Sequence, residues 1–239
     1  MPKKFISAVV AVLLLITAVA AYLLVPLPIQ PARDIQYRSE TWSAFNPGVI
    51  DSVVTGDMLI LTLKRRALWA GNGQGALVSK AIQGNFKATA IVRAHKASNP
   101  AQTVLSPVSL GGLAARNPAG ADQSATENYV HIVVGNTPAG VGIETKTTLN
   151  GSTDYQAVPG PAGDAELRIC RVGAQFHLYQ RAIGTIQWTL AKTFARPDLP
   201  DTLMVGATIY AALPPDLQVS YENLRIQLGV QAQADCETD

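Results

Sequence analysis

Histidine, tyrosine, arginine and glutamate side chains recur at every second position, the positions expected to face outward, in four runs in the second half of the chain. Each run alternates between apolar and polar residues. The runs are residues 128–134, 140–147, 165–172 and 175–181. In consecutive strands of one sheet these side chains would share the polar face. There, aromatic rings stack on sugar C–H faces, and charged groups hydrogen-bond hydroxyls or carboxylates. The candidate ligand-binding residues are Tyr129, His131, Glu144, Arg168, His177, Tyr179 and Arg181, with Lys146 on the same parity. The alternative is an ordinary solvent-facing sheet, because antiparallel strands place polar residues in water by default.

Glycoside hydrolysis would need two carboxyl groups, roughly 5 to 9.5 Å apart across the sugar bond. Glu144 and Glu166 form the one plausible catalytic pair, since both have outward parity on strands that could be neighbours. A glycosidase or polysaccharide lyase could also use His131, His177 or Tyr179. The sequence has no H-E-x-x-H, G-x-S-x-G, C-x-x-C or Walker motif. An enzyme is therefore the less favoured interpretation.

The elements that must position these residues are β-strands. From about Asp34 onward, short runs alternate apolar and polar residues and are separated by Gly, Pro, Asn and Asp. About ten or more such runs predict an all-β fold, a two-sheet antiparallel jelly-roll sandwich over residues 32–228. The last run changes parity near Glu222 and Asn223, which predicts a β-bulge. Residues 229–239 are polar and are expected to form a flexible tail.

Large aromatic residues of inward parity are expected in the core. These are Phe86 and Trp188, whereas Trp69 is either a core residue or an aromatic at the rim of a sugar site. Cys170 falls in a strand-like run and Cys236 in the polar tail. A disulfide between them would attach the tail to the sandwich, and the alternative is two unpaired thiols.

The first 31 residues have the pattern of a targeting segment with a proline-rich linker. Lys3 and Lys4 precede the apolar run Phe5–Val25, which is about the length of a membrane-spanning helix. Residues 18–20 (Ala-Val-Ala) offer a cleavage site, so the predicted hydrophobic helix is either a cleaved signal peptide or a retained signal anchor. Both alternatives place the remaining chain outside the cytoplasm, as a secreted, periplasmic or membrane-anchored domain.

The charge balance argues against a nucleic-acid partner. Lys and Arg total 19 and Asp and Glu total 17, which gives a formal net charge of +2. Lys3 and Lys4 account for that excess. A nucleic-acid-binding domain needs a basic surface to meet phosphates, and the remaining chain has no excess of basic residues.

Several short motifs, in the right order, resemble strands of the concanavalin A-like lectin/glucanase superfamily. Gly84–Ala90 resembles its G-[DN]-F strand, Glu127–Val130 its N-Y-V strand, and Leu167–Gly173 its L-R-[IL]-x-R-x-G strand. Tyr221–Ile226 resembles the closing F-[DE]-N-[VL]-x-[IV] strand. Ile183 departs from the family, which has Asp in the corresponding D-G turn. The nearest relatives within this resemblance are bacterial domains without an assigned function, some of them labelled as regulators of enolase.

The resemblance implies a fold shared by lectins, glycosidases, polysaccharide lyases and adhesion modules. We therefore expect a non-catalytic module that binds a glycan or cell-envelope polysaccharide. The alternatives are a glycoside hydrolase or polysaccharide lyase, and an envelope protein–protein interaction module. Calcium would suit the superfamily, and Asp51, Asp154 and Asp164 are candidate loop acids. No D-x-D spacing gathers them into the oxygen cage that calcium needs, so no cofactor is assigned and calcium is left open.

Overall fold

The computed structural model describes residues 34–37, 42–121, 126–160, 163–213 and 216–239, which form two antiparallel sheets. The seven-stranded sheet contains, in spatial order, β10 (Ser152–Pro159), β9 (Gly140–Leu149), β8 (Tyr129–Thr137), β7 (Ser109–Arg116), β14 (Thr202–Ala211), β5 (Ala76–Gln83) and β2 (Ser43–Phe45). The eight-stranded sheet contains β13 (Thr189–Ala195), β12 (Gln175–Arg181), β11 (Asp164–Val172), β6 (Phe86–His95), β15 (Gln218–Leu228), β4 (Met58–Leu63) and β3 (Ile50–Thr55), with β1 (Asp34–Gln36) also paired to β15. Two 3-10 turns, Pro47–Val49 and Pro118–Ala121, and the short helix α1 (Gln233–Glu237) complete the elements. The expected all-β, two-sheet sandwich is confirmed for the described residues.

The interior between the sheets is built by alternation along each strand. Val130, Ile132 and Val134 of β8 face the interior, and Leu167 and Ile169 of β11 face it from the other sheet. All five are fully buried. Burying a side chain of this size contributes about 1.5–3 kcal/mol, so this apolar layer is what holds the sheets together. The intervening residues of both strands consequently point outward, which places the candidate site residues on the outer faces.

The outer face of the seven-stranded sheet is partly covered by the loop between β4 and β5, residues 64–75. Trp69 in this loop is 1% exposed, and its Nε1 donates a hydrogen bond to Thr208 Oγ1 at 2.8 Å. A Cβ atom on Gly75 would lie 2.3 Å from that Nε1, so only glycine fits beside the indole. Trp69 is thus a buried residue, but it belongs to a second apolar cluster outside the inter-sheet core.

The expected β-bulge is confirmed in β15. The register between β15 and β6 shifts between Glu222 and Arg225, and Asn223 has a φ of 52°. The extra residue lets Tyr221 and Leu224 both face the interior, although they have opposite parity in the sequence.

Residues 229–239 lie folded against the outer face of the eight-stranded sheet, which corrects the expected flexible tail. Cys170 and Cys236 form a disulfide, with an S–S distance of 2.02 Å. Trp188 packs in a small cluster with this disulfide rather than between the sheets, so its expected place in the core is also corrected. Phe86 lies in the core as predicted. Of the two alternatives for the cysteines, the disulfide is therefore the one present, and together with ion pairs to Asp239 it orders this polar segment.

The apolar run Phe5–Val25 lies outside the described residues. Within the part of the chain that is described, no helix combines the length and hydropathy needed to cross a membrane. Export and membrane anchoring therefore stay predictions from the sequence.

Candidate functional site

The structure divides the predicted site residues between the two sheets. Tyr129 and His131 on β8 and Glu144 on β9 lie in the seven-stranded sheet. The other candidates lie on β11 and β12 of the eight-stranded sheet, and they are Arg168, His177, Tyr179 and Arg181. The expected four-strand meander is wrong, because β10 ends its sheet at an edge and the chain then crosses over to pair β11 with β6. Alternation predicted the outward face correctly, but it carries no information about which sheet a strand joins.

The first group contributes to a line of packed rings on the outer face of the seven-stranded sheet. Ring centroids are 5.1 Å apart for Trp69 and Tyr129, and 5.5 Å apart for Tyr129 and His131. The His131 and Tyr210 centroids are also 5.5 Å apart. All four rings are at most 1% exposed. Ring pairs at such distances add about 0.5–1.5 kcal/mol beyond their burial, so the line forms a rigid floor.

Tyr210 and Glu144 meet across the outer face of the seven-stranded sheet. Tyr210 on β14 and Glu144 on β9 are three strand positions apart, which is about 14 Å in a flat sheet. The Tyr210 hydroxyl donates to Glu144 Oε1 at 2.7 Å. The two long side chains therefore reach over the intervening strands, and polar groups of separate strands meet at one place.

Glu144 is the charged centre of this floor. Its Oε1 accepts the Tyr210 hydroxyl and lies 2.8 Å from Lys146 Nζ and 3.5 Å from His131 Nε2. Lys146 Nζ also donates to the backbone carbonyl of Trp69 at 2.9 Å, which ties the covering loop to the site. A carboxylate has two acceptor oxygens, so these contacts do not exhaust the accepting capacity of Glu144.

Burial and neighbouring charges set the protonation states of this site. Burial lowers the pKa of His131 to about 4, so the imidazole is neutral at pH 7. Burial alone would raise the pKa of Glu144, but His131 and Lys146 outweigh it and lower the pKa to about 2. Burial, reinforced by the Glu144 charge, raises the pKa of Tyr210, whose hydroxyl stays a donor. At neutral pH the floor consequently offers a permanently ionised carboxylate to a ligand.

A cavity of about 260 Å³ lies above Glu144 and Lys146 at one end of the sheet. Tyr155 on the edge strand β10 lines it and is 51% exposed, and Leu68 and Ala70 line it from the covering loop. The remaining lining residues are Val108, Pro138, Thr153 and Ala212. The cavity is smaller than the roughly 300–1,000 Å³ of pockets for drug-sized ligands, so it suits a ligand of about one ring.

The second group of candidates is occupied by contacts within the chain. Arg168 is fully buried, Tyr179 donates to Glu237 Oε1 at 3.4 Å, and Arg181 pairs with Glu166. His177 is 6% exposed, and its Nδ1 lies 3.1 Å from Thr193 Oγ1. Burial lowers the pKa of His177. The structure does not bring any of these residues to the cavity above Glu144.

The expected catalytic pair does not form. Glu144 and Glu166 lie on the outer faces of different sheets, and packed sheets are themselves about 10 Å apart. Glu166 is held by Arg181, whose Nε donates to its Oε2 at 2.7 Å. Among the described residues that line the cavity, Glu144 is the only carboxylate. A substrate in the cavity would therefore meet one of the two carboxyl groups that glycoside hydrolysis requires.

Two residues of the site escaped the sequence analysis. Tyr210 has outward parity in an alternating run, but its strand is distant in sequence from β8 and β9, so the sequence does not indicate that it reaches Glu144. Tyr155 lies on β10, where residues 152–159 are mostly exposed on both faces. Such an edge strand lacks the apolar alternation that marks the other strands.

The candidate calcium ligands lie apart. Asp51 pairs with Lys64 at 3.0 Å, and Asp164 lies 2.7 Å from His95 Nε2. Asp154 is on β10 in the other sheet. Over the residues that the structure describes, no cluster of three or more His, Cys, Asp or Glu side chains could hold a metal ion.

Comparison with known proteins relates this chain to others through its fold. No family model and no curated protein matches the chain. A functionally unknown protein from Saccharomyces cerevisiae has a TM-score of 0.63 at 15% identity, with 78% of this chain and 96% of that chain covered. Basic winged bean lectin, solved with Tn-antigen, has a TM-score of 0.52 at 12% identity, with 82% and 97% covered. The fold is a lectin-like β-sandwich.

An enzyme also resembles this sandwich. Xylan beta-1,4-xylosidase from Bacillus halodurans C-125 has a TM-score of 0.55 at 14% identity. The match covers 84% of this chain but only 40% of the xylosidase chain. These likenesses are consistent with the resemblance to the concanavalin A-like superfamily. At such low identity they carry the fold alone, because members of one fold can have unrelated functions.

Proposed function

We propose that this protein is a non-catalytic carbohydrate-binding module, exposed outside the cytoplasm, whose ligand is a sugar residue of a glycan or cell-envelope polysaccharide. The observation that carries the proposal is the ionised Glu144 in the lining of the 260 Å³ cavity. The exposed ring of Tyr155 lines the same cavity.

The chemistry of this cavity matches that of a sugar. Sugar hydroxyls are donors for a carboxylate acceptor, and the C–H face of a sugar ring packs on an aromatic ring. Lys146 balances the charge of Glu144 at 2.8 Å, so the cavity favours a neutral sugar over an acidic one. The lectin-like neighbours support a glycan partner by analogy of fold.

Catalysis is the weaker alternative. The xylosidase among the structural neighbours favours it by analogy. The single carboxylate lining the cavity argues against it, because both hydrolytic mechanisms use two carboxyl groups.

The proposed location rests on the N-terminal sequence. Lys3 and Lys4 followed by Phe5–Val25 favour export, with membrane contact through this run if it is retained. The Cys170–Cys236 disulfide supports an oxidising compartment. The near-neutral charge supports a partner other than nucleic acid.

The test is a glycan array followed by calorimetric titration of the glycans that bind. Glu144→Gln removes the ionised acceptor, and Tyr155→Ala removes the exposed ring without disturbing the buried floor. Glu144→Gln should weaken binding about tenfold or more, since a charge-assisted hydrogen bond contributes about 1.5–3 kcal/mol. Tyr155→Ala should weaken binding by a similar factor, because the sugar loses the ring on which it packs. The runs are repeated with calcium and with chelator, to detect a metal requirement.

Two matched controls locate the effect. Glu166→Gln changes a carboxylate on the opposite outer face, and Val158→Ala truncates another exposed residue of β10. Both should bind as the unmodified protein does. The proposal fails if folded protein binds no glycan on the array, or if Tyr155→Ala and Val158→Ala have the same effect. Release of reducing sugar or unsaturated ends would favour the enzymatic alternative.

A further inference from the structure

The outer face of the eight-stranded sheet carries a cluster of cations and one indole, on the side of the sandwich away from the sugar site. We name it the cradle, and it consists of Lys87, Arg168, Arg181 and Trp188. The guanidinium carbons of Arg168 and Arg181 lie 3.8 Å and 4.2 Å from the Trp188 ring centroid. These contacts hold both guanidinium groups in place, so their donors are preorganised.

A segment of the same chain, residues 230–239, fills the cradle, and we name it the strap. Three donors converge on the Asp239 carboxylate. Arg168 Nη2 and Trp188 Nε1 donate to Oδ1 at 3.1 Å and 3.0 Å, and Arg181 Nη1 donates to Oδ2 at 2.9 Å. The cradle is thus a built carboxylate site.

The cradle also binds the peptide backbone of the strap. Lys87 Nζ donates to the carbonyl of Asp235 at 3.1 Å and to that of Thr238 at 2.8 Å. Arg168 Nη1 donates to the carbonyl of Cys236. The cradle therefore binds one carboxylate and several backbone carbonyls next to it. This combination is found in an acidic peptide and not in an isolated anion.

This arrangement is costly as a purely structural contact. Arg168 is fully buried and Lys87 is 4% exposed. Withdrawing such charges from water carries a large desolvation penalty, and apolar residues would close the same face at lower cost. The cations therefore add selectivity for an acidic peptide more than they add stability.

The strap is tied down by the Cys170–Cys236 disulfide. Its one helix, α1, has 5 residues, and a helix of that length has little stability of its own. Once the disulfide is reduced, the strap is held by its polar contacts with the cradle, by hydrogen bonds from Tyr179 and Asn85, and by the packing of Val230. A reduced strap can accordingly exchange with a competing peptide.

We propose that the cradle is a second ligand site, for an acidic peptide segment of a partner protein, which the strap occupies as an intramolecular ligand until the Cys170–Cys236 disulfide is reduced. A dithiol reductant supplies the two electrons and two protons. One of its thiolates attacks a disulfide sulfur, its second thiol resolves the mixed disulfide, and the products are two cysteine thiols and the oxidised reductant. Both cysteines are fully buried, so the strap must open locally before the reductant reaches them.

The first test measures how fast dithiothreitol reduces the disulfide in the full chain, by alkylating the thiols that appear. Asp239→Asn removes the carboxylate from the cradle and should speed reduction about tenfold or more, because it weakens the closed strap. Asp154→Asn, an exposed acid on β10 in the other sheet, is the matched control and should leave the rate unchanged. Equal rates for Asp239→Asn and Asp154→Asn would overturn the role of the cradle in closing the strap.

The second test measures binding in trans by fluorescence anisotropy. The probe is a labelled peptide of residues 230–239 with Cys236→Ser, titrated into the full chain carrying Cys236→Ser and Asp239→Asn. This protein should bind the peptide saturably, and the oxidised unmodified protein should not, because its own strap occupies the site. A peptide that also carries Asp239→Asn should bind about tenfold more weakly or worse.

Hydrogen exchange decides whether the strap is separable from the fold. On reduction of the unmodified protein, amides of residues 230–239 should lose protection while the strands keep theirs. If the whole domain unfolded on reduction, the sandwich would need the strap in order to stay folded, and this result would overturn the proposal. A folded double variant that binds no peptide would also overturn it.

Discussion

Glu144 and Lys146 are an ion pair that is almost completely buried, with exposures of 1% and 6% for the two side chains. A buried pair of this kind contributes little to stability once the loss of hydration is counted. Tyr210 and His131 complete the shell around Oε1, so the carboxylate is oriented by groups from three strands. This network therefore fixes the position of the Glu144 carboxylate in the lining of the cavity.

Acid should destabilise the protein through two residues of this network. The pKa of His131 is about 4 when folded and 6.5 ordinarily, so between these values the unfolded chain binds a proton that the folded one does not. Stability therefore falls as the pH drops from 6.5 to 4. The pKa of Glu144 is about 2 when folded and 4.5 ordinarily, so its contribution is complete above 4.5 and is lost as the pH drops towards 2. Together these shifts are worth a few kcal/mol.

Urea unfolding at pH 7, 5.5 and 4.5 measures this loss. His131→Gln removes the imidazole that takes up a proton on unfolding. The free energy of unfolding of this variant should therefore change less between pH 6.5 and 5, while the smaller contribution of His177 remains. A wild-type free energy of unfolding that stays constant from pH 7 to 4.5 would contradict a neutral, buried His131.

At the scale of elements, the bulge in β15 is where one residue changes which side chains enter the core. Asn223 has a φ of 52° and an exposed side chain, between the buried Tyr221 and Leu224. Left-handed backbone is least unfavourable for glycine and asparagine, because other residues bring Cβ too close to the carbonyl oxygen. The polar residue at this position is therefore explained by backbone conformation.

Substitution at Asn223 should follow backbone preference rather than side-chain size. Asn223→Ala should lower the free energy of unfolding by about 1 kcal/mol, whereas Asn223→Gly should be neutral or slightly stabilising. Chemical denaturation of the two variants provides the comparison, and each is the control for the other. Equal stability of the alanine and glycine variants would contradict a left-handed residue here.

At the scale of the whole molecule, the two outer faces of the sandwich are covered by different segments of the chain. One is partly covered by residues 64–75, and it contains the cavity lined by Glu144. The other is closed by the strap and its disulfide. Substitutions on one face should accordingly leave ligand binding on the other face unchanged, since the apolar interior separates them.

The disulfide should stabilise the whole domain by restricting the unfolded chain. It links cysteines 66 residues apart, and this stretch contains β12 to β15. Cys236→Ser should lower the global free energy of unfolding by about 2–4 kcal/mol, and Cys170→Ser by a similar amount. Urea denaturation measures both, with the folded state verified by far-ultraviolet circular dichroism. No change in either variant would mean that the unfolded chain is not restricted by this link.

The sequence by itself determined the features that depend on local periodicity. Alternation of apolar and polar residues established the sandwich class and the outward face of every candidate residue, and the parity change at Glu222 and Asn223 located the bulge. Each of these follows from a side-chain period of two along one strand, which needs no knowledge of distant strands. The candidate residues that the structure brings together, Tyr129, His131 and Glu144, lie on two strands that are also adjacent in sequence.

Only the tertiary structure decided which strands share a sheet, and therefore which residues form one site. The crossover after β10 separated Arg168 and His177 from Glu144, and the strand order within the sheet brought Tyr210 to it. The Cys170–Cys236 disulfide, which the sequence left open, attaches the polar C-terminal segment to the sandwich as the strap. Strand pairing and disulfide formation are long-range contacts, and their free energy depends on the whole packed molecule rather than on any run of residues.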